Sequence, residues 1–215
     1  MTTAPERHRT LAVELLDSWH VGTGRGEGQH LDALVDLDVD GFPHVPGRML
    51  RGLLRDACEC VEHWSDASAD FGVKQLFGAL ARSDDAPGRQ ISEGGFVGIT
   101  SARLSPPLRH ALLQADGKRA GPNSRALRMT SFQTALDPAT GTALPQSLRG
   151  IELAVPMMLE ASLDLWPSSD ELAAQAWSLL DKALPLVWAV GAHKTRGHGR
   201  ARLAWQQPVL REMAQ

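Results

Sequence analysis

Residues 9–16 alternate apolar and polar, with Leu11, Val13 and Leu15 on one side. That period of two predicts a strand with one buried face. Alternation returns at Val35-Asp36-Leu37-Asp38-Val39 and predicts a second strand over 33–39 with one wet face. The period then changes. From Pro46 onward, Leu50, Leu54, Ala57 and Val61 recur at helical spacing. Proline suits a helix start, where a backbone N–H would go unpaired anyway. A short helix is expected over 71–81 around Leu76-Phe77-Gly78, an exposed turn-rich stretch over 82–94, and a strand over 95–104. Residues 105–124, with prolines, glycines and basic side chains, predict an irregular, protruding insertion. Strand periodicity resumes at 125–134 and 149–165. Between them Asp137-Pro138-Ala139-Thr140-Gly141 is a turn signal, so a long hairpin is expected. Ser168 and Glu171 match a capping box. Leu172, Ala176, Leu180, Ala183 and Val187 then form a helical stripe that ends at Gly191. Ala201, Leu203 and Trp205, set against Arg200 and Arg202, predict a last strand.

Strands interleaved with few helices in this order define an α+β chain, an antiparallel sheet with helices on one face. A ferredoxin-like sheet fits, with insertions near 82–94 and 105–148. No repeat and no linker divides the chain, so residues 1–215 are expected to form a single domain.

Charge sharpens the picture. The net charge is −3, which argues against gripping nucleic acid by bulk charge. The basic residues are local instead. Residues 193–202 hold Lys194, Arg196, Arg200 and Arg202 with His193 and His198 and no acid. Residues 118–128 hold Lys118, Arg119, Arg125 and Arg128, again with no acid. Arg48, Arg51 and Arg55 are spaced to share one face of the first helical turns. Cations at a helix N-terminus oppose the macrodipole and call for an anion, for which a phosphate is the natural candidate. On composition alone, the 191–199 loop could equally be a flexible connection and the arginine stripe a solvated face. Together they favour a local nucleic-acid track, where arginines and glycine N–H groups hold phosphates without reading bases.

Other chemistries are excluded or weak. Gly22, Gly24, Gly26 and Gly28 alternate, which is not the G-x-G-x-x-G of a dinucleotide site. Asp36-Leu37-Asp38-Val39-Asp40-Gly41 imitates the start of a calcium loop, but Gly47 stands where a bidentate Glu is required. A solvated strand face is the expectation for those acids. Lys194-Thr195 lacks the glycine spacing of a P-loop, and the histidines show no zinc spacing. Cys58 and Cys60, at their i, i+2 spacing on a helix, point to different faces, so neither a disulfide nor a two-ligand clamp is expected. No apolar run reaches the ~18 residues of a membrane span. The first twenty residues lack signal-peptide order, so the expected location is cytoplasmic, with no membrane partner.

An ordered set of segments resembles the CRISPR-associated RAMP superfamily, and within it the backbone subunit (the seventh Cas family) of type III effector complexes. The segments are His20-Val21-Gly22-Thr23-Gly24, Asp32 after the glycine-rich stretch, and Phe42-Pro43-His44-Val45-Pro46-Gly47-Arg48-Met49-Leu50-Arg51-Gly52. Leu76-Phe77-Gly78, then Asp137 to Glu152, then Gly191 to Gly199 follow. The box carries Arg48-Met49 where the family has serines. The resemblance implies a modified RRM-like palm with a protruding thumb-like hairpin. It also implies a filament of copies along a guide RNA, alongside other effector subunits, and cleavage of bound target RNA. By motif position Asp32 would carry cleavage. His20, Arg48, Arg51, Arg55, Lys194, Arg196, His198 and Arg200 would hold RNA. Arg125, Arg128 and Met129 would lie in the thumb region. A carboxylate could take a proton or hold a divalent ion (Mg or Mn) near the phosphate, with no tightly bound cofactor implied. Two rival expectations remain: a noncatalytic RAMP scaffold, and a guide-processing RAMP endoribonuclease acting through His20 or His44.

Overall fold

The structure, a computed structural model, describes residues 6–26, 31–65, 71–82, 90–116 and 121–206. Gly28, Lys118 and Arg119 lie outside them. Strand β1 is His8–Leu15, and helix α1 is Gly47–Trp64. Helix α2 (Val73–Phe77) leads into β2 (Gly78–Arg82), β3 (Gln90–Gly94) and β4 (Val97–Ile99). Helices α3 (Pro106–Asp116) and α4 (Pro122–Ala126) precede β5 (Arg128–Gln133), β6 (Arg149–Ala154) and β7 (Met157–Leu165). Helix α5 (Asp170–Ala183) and β8 (Ala201–Trp205) complete the order.

The central sheet has four antiparallel strands in the order β4-β7-β1-β8. Alternation decides its faces. Leu11, Val13, Leu15, Leu159, Leu163 and Leu203 point to one side and are buried. Helices α1 and α5 cover that side with Leu50, Leu54, Ala176, Trp177 and Leu180, all in the same core. Each leucine there contributes about 1.5–3 kcal/mol when fully removed from water. The opposite face carries Thr10, Glu14, Glu160, Ser162 and Asp164, with Pro106 and Arg109 of α3 at its margin. Strands β5 and β6 form a separate two-stranded hairpin, and β2 and β3 another.

Several expectations are corrected. Residues 33–39 do not make a strand. Ala33 bridges Ile151, Val35 bridges Gly22, and Leu37 bridges Pro43, so three successive partners replace one and no ladder builds. The acids there are not a solvated face either. Asp38 is buried, its carboxylate held by Arg109 at 3.0 Å and by the N–H groups of Asp40 and Phe42. The 105–124 stretch is largely helical, because Pro106 and Pro122 stand at helix starts, where proline is tolerated. The turn-rich 82–94 region and the end of the 71–81 helix instead supply β2 and β3; residues 83–89 lie outside the described set. The strand expected over 95–104 shrinks to β4. Val155-Pro156 divides 149–165 into β6 and β7, which belong to different sheets. Ser169 rather than Ser168 caps α5, accepting from the Leu172 N–H at 3.3 Å. Pro185, lacking an N–H, leaves a single 3₁₀ turn at Leu184–Leu186, and Val187 lies beyond it.

Candidate nucleic-acid interface

The site grows from the chain leaving β1. Trp19 is buried and exchanges both backbone hydrogen bonds with Ala154, at 2.9 and 2.8 Å, which locks residues 18–22 against β6. In an extended chain successive carbonyls point to opposite sides. The His20 carbonyl accepts from the Ala192 N–H at 2.8 Å, and the Val21 carbonyl accepts from the Asp36 N–H at 2.6 Å. One extended segment therefore carries the glycine-rich turn on one side and residues 33–36 on the other.

The turn is built on left-handed residues. Gly191 has φ +88° and a Cβ there would lie 2.3 Å from the His20 carbonyl oxygen, so only glycine fits. His193 has φ +61° and opens a single 3₁₀ turn, Lys194–Arg196. The Gly199 N–H then returns to the Ser18 carbonyl at 2.9 Å. This brings three imidazoles together. The His20 and His193 rings are 6.0 Å apart, and His193 and His198 are 6.4 Å apart. Nδ1 of His20 lies 2.7 Å from the Glu152 carbonyl oxygen, and Nδ1 of His198 lies 3.3 Å from the Ser18 hydroxyl. Burial, then the neighbouring His20, Arg196 and His198, hold the His193 pKa below its ordinary value. Arg196 donates to the Gln133 side chain at 3.2 Å, so the turn also touches the β5–β6 hairpin.

Glu152 ties these parts together. Its N–H donates to the Ala33 carbonyl at 2.9 Å. One carboxylate oxygen accepts from the Val35 N–H at 3.0 Å and the other from Arg128 at 2.7 Å. Asp32 is exposed beside it, near the end of the β5–β6 ladder that leads into residues 134–148. Its N–H donates to the Gly150 carbonyl at 2.7 Å, and its carboxylate accepts from the Gly150 N–H at 3.0 Å. Among the described residues no three His, Cys, Asp or Glu side chains converge as a metal-holding set.

The arginine stripe divides by task. Arg51 is turned inward, its guanidinium donating to the Val97 and Phe77 carbonyls at 2.6 and 2.7 Å. Arg55 pairs with Glu59 at 2.9 Å, one turn on. Arg48 alone of the three is exposed with no ion pair among the described residues. It borders a shallow depression with Asp36, His44, Gly47 and Ser101. There α1 begins with no side-chain cap and no acid in its first turn, and Nδ1 of His44 is buried without a hydrogen-bond partner. Asp36 reaches both this depression and the Val21 carbonyl. The depression and the glycine-rich turn thus flank residues 18–22 and do not abut.

Arg200 pairs with Asp17 at 3.1 Å, and Lys194 is half-buried in the turn. Arg128 is an internal brace on Glu152 and not a surface group of the hairpin, whereas Arg125 and Met129 are exposed. The hairpin also exposes Phe132, Leu136 and Leu148, each more than half accessible. Sequence reasoning passed over His193 and Glu152. Both sat inside quoted motifs, but only the folded chain shows which neighbours they gain.

The RAMP superfamily family model matches residues 12–202, and the chain belongs to that superfamily. Its fold is similar to a chain of the Type III-B Cmr-beta complex in the apo state, at TM-score 0.63 and 12% identity over 94% of this chain and 98% of that one. A chain of the same kind of complex bound to cognate target RNA gives TM-score 0.62 and 11% identity, with coverage of 94% and 98%. A chain of a Type IV-B CRISPR complex gives TM-score 0.59 and 14% identity, covering 95% of this chain and 92% of that one. Curated proteins gave no match. Among the described residues no helix is long and apolar enough to cross a membrane.

Proposed function

We propose that this chain is a guide-RNA-binding backbone subunit of a type III-like CRISPR effector, which stacks with copies of itself and other subunits along the guide and cleaves complementary target RNA. One observation carries the reading: the acid-free glycine-rich turn, with Lys194, Arg196 and His198, touches a protruding hairpin through Arg196 and Gln133. A turn that offers cations and backbone N–H groups suits a phosphate backbone. An exposed apolar hairpin suits a task at an interface, since such surface is costly in water.

Asp32 lies beside the Phe132–Gly150 pair of that hairpin, where a strand distorted by it would pass. Cleavage would use the target's own 2′-hydroxyl. The 2′-oxygen attacks the adjacent phosphorus in line, the P–O5′ bond breaks, and the Asp32 carboxylate takes the 2′-hydroxyl proton. The leaving 5′-oxygen is protonated from water. Removing a positioned base of this kind costs about 10²–10⁴-fold in rate. Asp32→Asn in the assembled complex should therefore lose that factor in cutting a complementary RNA while co-purifying the same guide. Its amide oxygen can still accept the Gly150 N–H.

The bond from Gly150 also favours a second reading, a noncatalytic scaffold in which Asp32 only pins β6. Equal cutting by Asp32→Asn would remove Asp32 from the reaction. No cutting by a guide-loaded wild-type complex would establish the scaffold.

A further inference from the structure

Among the described residues, the three imidazoles at the turn are crowded with no acid acting on His193. Every charged group acting on His193 is basic: His20, Arg196 and His198. From its own loop, Lys194 and Arg200 add positive charge, although Arg200 is engaged by Asp17. From β6, Glu152 faces His20 with its backbone carbonyl only, because its carboxylate is occupied by Arg128 and the Val35 N–H. From the hairpin come neutral Gln133 and, opposite it in register, Arg149. The acceptor at Nδ1 of His20 requires a proton there, which leaves Nε2 as the nitrogen that can accept another. That Nε2 is tucked over Gly22, where a Cβ would lie 2.5 Å from it. Cationic and polar groups thus converge from two segments on one imidazole whose pKa lies below its ordinary value.

We propose, on the reading that this turn holds RNA, that a phosphodiester seats against His193 between His20 and His198 and that His193 takes up a proton as it binds. The phosphodiester supplies the missing negative charge. The free protein keeps His193 neutral to lower pH than usual, and the bound phosphate favours its charged form. The bound state therefore holds one more proton between the two titration points. Affinity rises as pH falls through the bound-state value and levels off below the free-state value. One proton corresponds to about tenfold in affinity per pH unit within that window.

A labelled single-stranded oligouridylate tests this with the full chain at fixed ionic strength, from about pH 5 to 8, where imidazoles change charge. Uracil has no group that titrates there. The expected result is tightening toward acid with a slope approaching one decade per pH unit. Calorimetry in two buffers of different ionisation enthalpy should show net proton uptake near neutrality. His193→Asn, a residue that tolerates the left-handed conformation, should flatten the slope whatever it does to the affinity itself. Binding that is flat in pH, with buffer-independent heats, overturns the proton coupling and leaves RNA binding standing. A slope that survives in His193→Asn overturns the assignment to His193. Absence of oligouridylate binding at every pH overturns the RNA reading and this inference with it. The two wild-type measurements decide the proton coupling even if the variant does not fold.

Discussion

Cys58 and Cys60 are two residues apart on one helix and have opposite environments. Cys58 faces the core, and burial, followed by the nearby Glu62 and Glu59, pushes its thiol up to about 12. Cys60 is exposed. Because the thiolate is the reactive form, native protein should consume one equivalent of a maleimide at neutral pH, at Cys60, and a second only after denaturation. Mass mapping of the labelled peptide checks this. The same dependence on surroundings separates the arginines. Arg48, Arg51 and Arg55 are alike in sequence, yet Arg51 binds two backbone carbonyls and Arg55 a glutamate. Helical spacing says which residues share a face; it does not say that a neighbouring β4 carbonyl waits within reach. For that reason Arg48 and the 191–199 turn could be picked out as exposed cationic positions, while the inward fate of Arg51 and Arg128 could not.

The strands show why local pattern and pairing are separate matters. β1 and β8 were legible because continuous antiparallel ladders, β1 with β7 and β8 and β8 with β1, reward strict alternation. Residues 33–39 alternate as well, but they buy burial for Val35 without a continuous partner. Helices α3 and α4 were hidden by their prolines, which read as breakers until their place at the first turn is known. The joint among these elements is Glu152, whose side chain bonds residue 35 and Arg128 while its backbone reaches residues 20 and 33. Its carboxylate and the Arg128 guanidinium are largely inaccessible, with side-chain exposures of 12% and 18%. Glu152→Ala would leave Arg128 buried and unpaired, a loss of about 3–5 kcal/mol for such pairs. Urea unfolding should show that drop with little change in m-value, since the surface exposed on unfolding stays the same.

Across the molecule, a net charge of −3 coexists with a confined basic track. RNA affinity should then depend on a few cations and not on the sum. Lys194→Gln should weaken single-stranded RNA binding and make the slope of log K against log salt shallower by about 0.7, the release per phosphate contact on a single strand. Titrations at several salt concentrations measure it; an unchanged slope would place Lys194 off the RNA path. The open sheet face points the same way. Its acids include Glu14 and Asp164, paired with Arg202 and His8, and Glu160; on the proposed function the glycine-rich turn and hairpin, not the sheet, would face the RNA.

The order of apolar and polar residues settled the α+β class, the two long helices, the first and last strands and the hairpin, because burial periodicity is written into neighbouring residues. Motif order was enough to suggest the superfamily. Folding settled the rest: which arginines face inward, that Asp38 is buried, that Asp32 rests on Gly150, and that three histidines from segments more than 170 residues apart share one spot. Those outcomes depend on contacts between distant segments, and distance along a chain carries no record of distance in space.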